Sequence, residues 1–170
     1  MIILMAGLPG TGKSTLAREL ASRTGGCVLD KDPIRAALFA PSDIEYSTAQ
    51  DDFVMEIMLQ AASVLLKKDP SRKVLLDGRP FSRRYQIERV LAVAAEFNQP
   101  CRILECICSD ESARRRLDQI PDLSHPAQNR NFALHQKVKA RFEIITHSKT
   151  VIDTDQSLAE CIEQAIAALV

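Results

Sequence analysis

A glycine-rich segment near the start of the chain carries the most specific chemical pattern in the sequence. Residues 7–14 read Gly-Leu-Pro-Gly-Thr-Gly-Lys-Ser. Glycines at this spacing let consecutive backbone N–H groups turn inward around phosphate oxygens, and a following helix adds its positive end. The Lys13 ammonium, expected to be exposed at the loop, would reach the β- and γ-phosphates, and the Ser14 hydroxyl would face Mg²⁺. The residues expected to bind the nucleotide are Gly7, Pro9, Gly10, Thr11, Gly12, Lys13, Ser14 and Thr15.

A carboxylate follows the apolar run 74–76, at the point where a buried strand would end on Asp77 and Gly78. In parallel sheets the carboxyl ends of the strands form the edge where ligands bind. Asp77 is therefore a candidate to hold Mg²⁺ through a water molecule. The alternative is a turn carboxylate that caps the next element.

The segment after the second apolar run predicts the type of reaction. It carries Asp30 and Asp32, and Arg35 lies one helical turn beyond Asp32. Residues at i and i+3 share a helix face, so the acid can accept a proton from an attacking hydroxyl while the arginine anchors the substrate. Two alternatives stay open: Asp32 caps the helix, or Asp30 is the base.

Short apolar runs alternate with helical patterns along the whole chain, which predicts an α/β fold with a parallel sheet covered by crossover helices. We expect one domain, residues 1–170, because no linker divides the chain. Strands are predicted at 2–6, 27–29, 74–76, 102–108 and 150–152. Helices are predicted at 13–23, 33–39, 47–68, 132–145 and 157–169, with two more capped by Ser82 and Ser109.

Together these motifs resemble the small P-loop kinases of the group that contains zeta toxins, adenylylsulfate kinases and the kinase domain of polynucleotide kinase. In polynucleotide kinases, an Asp-x-x-Arg at the place of Asp32 and Arg35 supplies the base and a substrate-binding arginine. Adenylylsulfate kinases have Asp-Gly-Asp-x-x-Arg, in which Lys31 here replaces the glycine. The resemblance implies a three-layer P-loop kinase fold with a five-stranded parallel sheet and a helical lid, and implies ATP and Mg²⁺ as cofactors.

The resemblance also implies that residues from about 114 to 131 form the lid. This segment begins with three adjacent arginines. Adjacent helical residues point about 100° apart, so the three cannot face one ligand. We expect Arg114 on the adenine or phosphate side and Arg130 to reach the phosphates when the lid closes, with a surface salt bridge as the alternative for Arg130. Residues 118–130 are polar and contain two prolines, and we expect them to become ordered when nucleotide binds.

Other polar residues give weaker signals. Arginines expected to face the acceptor are Arg79, Arg83 and Arg84, while surface or capping roles are expected for His125, His135 and His147. The cysteines, which show no metal-ligand spacing, are expected to be reduced packing residues in a cytoplasmic protein. They are Cys27, Cys101, Cys106, Cys108 and Cys161.

The charge balance restricts the class of partner. The 170 residues carry 22 Lys plus Arg and 22 Asp plus Glu, and there is no Trp and only two Tyr. A protein that grips a long phosphate backbone usually carries a basic field, so we expect no long nucleic acid and no membrane partner. The sequence leaves the oligomeric state open.

Three functions fit these observations. The first is an ATP-dependent kinase acting on a hydroxyl of a small molecule or of a nucleotide or nucleic-acid end. The second is a nucleotide-dependent switch or regulatory NTPase module, although the Asn-Lys-x-Asp motif of GTPases is absent from the sequence. The third is a toxin-like kinase of sugar nucleotides.

Overall fold

Five parallel strands form the centre of the molecule in the computed structural model, which describes residues 1–118 and 131–170. The strands are β1 (Ile2–Ala6), β2 (Cys27–Asp30), β3 (Val74–Asp77), β4 (Cys101–Ile107) and β5 (Thr150–Asp153). Their order across the sheet is β2-β3-β1-β4-β5, and each neighbouring pair is parallel. The α/β class and the five-stranded parallel sheet expected from the sequence are confirmed.

Helices connect these strands and cover both faces of the sheet. They are α1 (Lys13–Thr24), α2 (Lys31–Leu38), α3 (Thr48–Lys68), α4 (Arg84–Glu96), α5 (Asp110–Asp118), α6 (Phe132–Lys139) and α7 (Leu158–Ala167). A short 3₁₀ turn, Pro41–Asp43, precedes α3. Within the described residues, no helix is long and apolar enough to cross a bilayer.

The core has two main apolar layers with β1 between them. Every residue of β1 is fully buried, and its side chains alternate between the layers. Ile2 and Leu4 pack with residues of α3 and α4, and Ile3 and Met5 pack with residues of α1 and α7. The buried strand carries the phosphate-binding loop, residues 7–14, on its carboxyl end.

Several helix boundaries differ from the expectations. Helix α6 ends at Lys139 rather than at 145, because the chain turns away and buries Ile145 in the core. Ser82 does not cap α4: the Glu143 carboxylate accepts from the Arg84 N–H at 2.7 Å, while the backbone carbonyl of Ser82 accepts from the Glu143 N–H. Helix α2 begins at residue 31, before the predicted residue 33.

Candidate active site

The phosphate-binding loop has a backbone that only glycine adopts easily. Gly7, Gly10 and Gly12 have φ angles of 129°, 83° and 79°. A Cβ atom on Gly7 would lie 2.2 Å from the backbone oxygen of Cys106 in β4. The loop therefore needs glycine for its conformation and, at residue 7, for its close contact with the neighbouring strand.

Lys13 is buried, with only 8% of its surface exposed, so the expectation of an exposed side chain is wrong. Its ammonium folds back over the loop and donates to the Leu8 carbonyl at 2.7 Å. The Thr11 hydroxyl donates to the same oxygen at 2.8 Å. The side chain nevertheless borders a cavity, together with Ser14, so its amino group lies at the boundary between the loop and an open space.

That cavity has a volume of about 390 Å³ and joins the phosphate-binding loop to the start of α2. Charged and aromatic side chains from α2 and from three other segments complete its wall. They are Lys31, Asp32, Arg35, Tyr46, Asp51, Arg79, Arg83, Tyr85 and Arg141. The structure thus brings Lys13 and Ser14 into one cavity with Asp32 and Arg35, as the sequence motifs predict.

An ionic cluster fixes the acid–arginine pair at the start of α2. Arg35, which is 2% exposed, pairs with Asp51, and Lys31 pairs with the same carboxylate at 2.8 Å. Asp32 makes longer contacts, 3.4 Å to Lys31 and 3.8 Å to Arg35. The guanidinium of Arg35 also lies 5.0 Å from the ring centre of Tyr46. Asp51 therefore holds both cations, and the Asp32 carboxylate lies beside them at the cavity wall.

Asp30, rather than Asp32, caps helix α2. Its carboxylate accepts a hydrogen bond from the Asp32 N–H at 3.0 Å, so the capping alternative for Asp32 is wrong. Burial, and then the Asp77 carboxylate beside it in the sheet, raise the pKa of Asp30 to about 6. Asp30 does not border the cavity, whereas Asp32 does.

The carboxylate of Asp77 is buried without a hydrogen-bond partner in the part of the chain that the structure describes. It is 1% exposed, and neither of its oxygens has a hydrogen-bond partner among the described residues. A buried carboxylate normally has a donor or a cation as its partner. A divalent cation such as Mg²⁺ could serve as the partner of this carboxylate; Ser14 lines the cavity, and Asp77 does not.

The arginines after β3 have different positions. Arg79 and Arg83 line the cavity, and each is paired, Arg79 with Asp52 at 2.5 Å and Arg83 with Glu143 at 2.9 Å. Arg84, the third arginine predicted to face the acceptor, is not among the residues that line it. Arg79 and Arg83 are thus at the cavity, and their contact with an acceptor stays a prediction.

The arginines of α5 contact different partners. The guanidinium of Arg114 lies 4.0 Å from the ring centre of Phe132, and its assignment to the nucleotide stays a prediction. Arg116 instead reaches the phosphate-binding loop, 3.4 Å from the Gly10 carbonyl, and donates to the Thr154 carbonyl at 2.7 Å. Arg130 and the expected lid segment 118–130 lie outside the described residues, apart from residue 118.

His135 shows most clearly what the sequence analysis missed. It is fully buried, not a surface or capping residue, and its Nδ1 lies 2.7 Å from the Pro9 carbonyl of the loop. Its ring stacks on Phe132, and its Nε2 lies 3.5 Å from an Asp110 oxygen. No local pattern signals such a contact, because 126 positions of sequence separate the two partners of the hydrogen bond.

Comparisons with known proteins agree with this architecture. The structure is similar to a sugar kinase from Janibacter sp. HTCC2649, with a TM-score of 0.69, 18% identity, and coverage of 99% of this chain and 93% of that one. A gluconokinase from Sinorhizobium meliloti 1021 gives a TM-score of 0.68 and 18% identity, covering 99% and 90% of the two chains. The APS kinase CysC of Mycobacterium tuberculosis, in complex with AMPPNP and APS, gives a TM-score of 0.73 and 19% identity. The match covers 99% of this chain and 96% of that one. No curated protein sequence matches the chain.

The fold is the P-loop kinase-like fold that these solved structures share. Residues 2–145 match the AAA domain family AAA_33, and the chain belongs to that family.

Proposed function

We propose that this protein is an ATP- and Mg²⁺-dependent kinase that transfers the γ-phosphoryl group to a hydroxyl of a small molecule. The observation that carries the proposal is the cavity of about 390 Å³ whose lining includes both Lys13 and Asp32. A phosphate-binding loop and a candidate base facing one space are the two components that phosphoryl transfer requires. Three structurally similar proteins named as kinases support the same reaction class.

Asp32 is the proposed base. As the acceptor hydroxyl forms its bond to the γ-phosphorus and the bond to the ADP oxygen breaks, the hydroxyl proton passes to the Asp32 carboxylate. Asp51 holds Arg35 and Lys31, which leaves the Asp32 carboxylate with longer contacts than theirs. Asp30 is less suited to this role, because its carboxylate caps α2 and does not border the cavity.

Ser14 and Asp77 are the residues that would hold Mg²⁺. The bound ion would neutralise part of the charge on the phosphate oxygens. Lys13 contributes a second positive charge at the edge of the cavity, and Arg35 would anchor a polar or anionic part of the acceptor.

The size of the cavity favours a small acceptor. About 390 Å³ falls at the lower end of the usual range for small-molecule sites, which is roughly 300–1,000 Å³. A nucleotide or the end of a short nucleic acid remains within the proposal, since only its terminal hydroxyl would need to enter.

The test measures ADP release with a panel of hydroxyl compounds: sugars, sugar acids, nucleosides and a short oligonucleotide with a free 5′ hydroxyl. One class should stimulate ADP release in the wild type. With that acceptor, Asp32→Asn should lower turnover by roughly 10²–10⁴-fold, the usual contribution of a general base. Arg35→Ala should mainly raise the acceptor KM, because it removes binding shared by ground and transition states.

Asp30→Asn is the matched control, since it is the same substitution two residues away. It should retain most of the turnover at saturating ATP. An inactive Asp30→Asn beside an active Asp32→Asn would reassign the base. Nucleotide-dependent binding of a protein partner, with no acceptor that stimulates ADP release, would instead support the switch.

A further inference from the structure

Three consecutive backbone carbonyls of the phosphate-binding loop, those of residues 9–11, are bound by side chains from distant parts of the chain. His135 Nδ1 lies 2.7 Å from the first of these oxygens. Arg116 Nη1 lies 3.4 Å from the second, and Thr154 Oγ1 lies 3.0 Å from the third. Because a carbonyl oxygen can only accept, each of these side chains acts as the donor, and the single proton of the Thr154 hydroxyl is shared with the Ile107 carbonyl at 3.1 Å.

The three donors lie outside the cavity and come from three different elements. His135 belongs to α6, Arg116 belongs to α5, and Thr154 follows β5 directly. None of the three is among the residues that line the cavity. Two of them also bind each other, since Arg116 donates to the Thr154 hydroxyl at 2.9 Å. They therefore contact the loop through its backbone carbonyls and form no part of the cavity wall.

The geometry of the peptide bond gives these contacts a consequence. In a trans peptide the N–H points opposite to the C=O of the same unit. Carbonyls that are held outward at residues 9–11 turn the N–H groups of residues 10–12 toward the inner side of the loop, where the Thr11 N–H donates to the Leu8 carbonyl at 3.3 Å. These N–H groups are the ones that a phosphate-binding loop uses to bind phosphate oxygens.

The loop also needs such restraint. Gly10 and Gly12 lie at φ angles of 83° and 79°, and a glycine backbone has many other accessible conformations. Fixing one residue costs about 1–2 kcal/mol in conformational entropy. If the loop were ordered only when the nucleotide binds, this cost would reduce the binding affinity.

We propose that His135, Arg116 and Thr154, here termed the outer donors, are positioning residues that hold the phosphate-binding loop in its binding conformation before nucleotide arrives. The inference rests on the nucleotide binding that the proposed function requires. The outer donors act through the loop backbone and make the phosphate site preorganised.

Thr154→Val gives the sharpest test, because valine keeps the branched shape and removes the hydroxyl. Thr24→Val is the matched control: the Thr24 hydroxyl donates to the Leu20 carbonyl at 2.7 Å, in α1. We expect Thr154→Val to bind ADP with Mg²⁺ about tenfold more weakly in calorimetry, the effect of one lost hydrogen bond. Thr24→Val should bind ADP as the wild type does, and Thr154→Ser, which keeps the hydroxyl, should restore the affinity.

Hydrogen exchange of the Thr11 amide, which donates to the Leu8 carbonyl at 3.3 Å, gives a readout in the nucleotide-free protein that does not depend on ligand binding. This amide should exchange faster in Thr154→Val and at the wild-type rate in Thr24→Val. His135→Leu should act like Thr154→Val, and His135→Asn, whose amide can donate to the same carbonyl, should recover part of the protection. Thermal unfolding establishes that each variant is folded.

Wild-type ADP affinity together with wild-type amide exchange in Thr154→Val and His135→Leu would overturn the proposal. A wild-type protein that binds no ADP would instead overturn the proposed function, and amide exchange would still decide the role of the outer donors.

Discussion

Replacing Asp30 tests the electrostatics at the carboxyl edge of the sheet. Burial and the Asp77 carboxylate raise the pKa of Asp30 from 3.8 to about 6. The folded protein therefore holds this proton more tightly than the unfolded chain does, and ionisation of Asp30 destabilises the fold. This destabilisation is absent below about pH 4, grows as the pH rises from about 4 to about 6, and is complete above about pH 6.

The size of the penalty follows from the two pKa values. Their difference corresponds to about 3 kcal/mol at neutral pH. Because the side chain is only partly buried, solvent screening lowers the expected value to about 1–2 kcal/mol. Asp30→Asn removes the charge but keeps the helix cap, since the asparagine oxygen can accept from the Asp32 N–H.

We therefore expect Asp30→Asn to raise the free energy of unfolding by about 1–2 kcal/mol at pH 7.5 and to leave it nearly unchanged at pH 4. Urea titrations at four pH values, in buffer without divalent ions, measure this. Asp69→Asn is a control of opposite sign, because hydrogen bonds from Ser71 lower the pKa of Asp69. Asp69→Asn should be less stable than the wild type at pH 7.5, and this difference should be absent well below pH 3.8. A stability difference for Asp30→Asn that is constant with pH, or that shrinks as the pH rises, would refute the reasoning.

Two further predictions concern the phosphate-binding loop. Gly7→Ala should lower the free energy of unfolding by about 2–5 kcal/mol in urea, because its Cβ would meet the Cys106 carbonyl at a positive φ. Gly25→Ala, at φ 67° with open space around it, should cost only about 1 kcal/mol. Lys13→Ala should weaken binding of ATP with Mg²⁺ by roughly 10–100-fold in calorimetry, and unchanged affinity would remove Lys13 from the phosphate site.

The sequence predicted what short-range patterns determine. Apolar runs gave the five strands, because strands buried on both faces are apolar throughout, as in β1. The glycine spacing gave the phosphate-binding loop, and the three-residue step from Asp32 to Arg35 put both side chains on the cavity wall. These features depend on neighbours in the chain and are visible without the tertiary structure.

The sequence did not predict what depends on packing between distant elements. Apolar residues continue after Lys139, yet the chain leaves the helix there, and Ile144 is 83% exposed while Ile145 is buried. Which arginine of α5 reaches the loop depends on the rotation of that helix against residues 9–11, and Arg116 has that position rather than Arg114. Such choices are set by tertiary contacts, which override local preference.

The order of strands in the sheet has a consequence for how the protein is made. Ile2 of β1 pairs with Val74 on one side and with Cys101 on the other. A ribosome that synthesises the chain from its amino terminus therefore releases the strand beneath the phosphate-binding loop long before either neighbour exists. Pairings of this kind close long loops and form slowly, and an apolar strand without neighbours is prone to aggregate. Nucleotide is thus expected to bind only late in synthesis, when most of the chain has emerged. It would then bind and stabilise only those molecules whose sheet is complete.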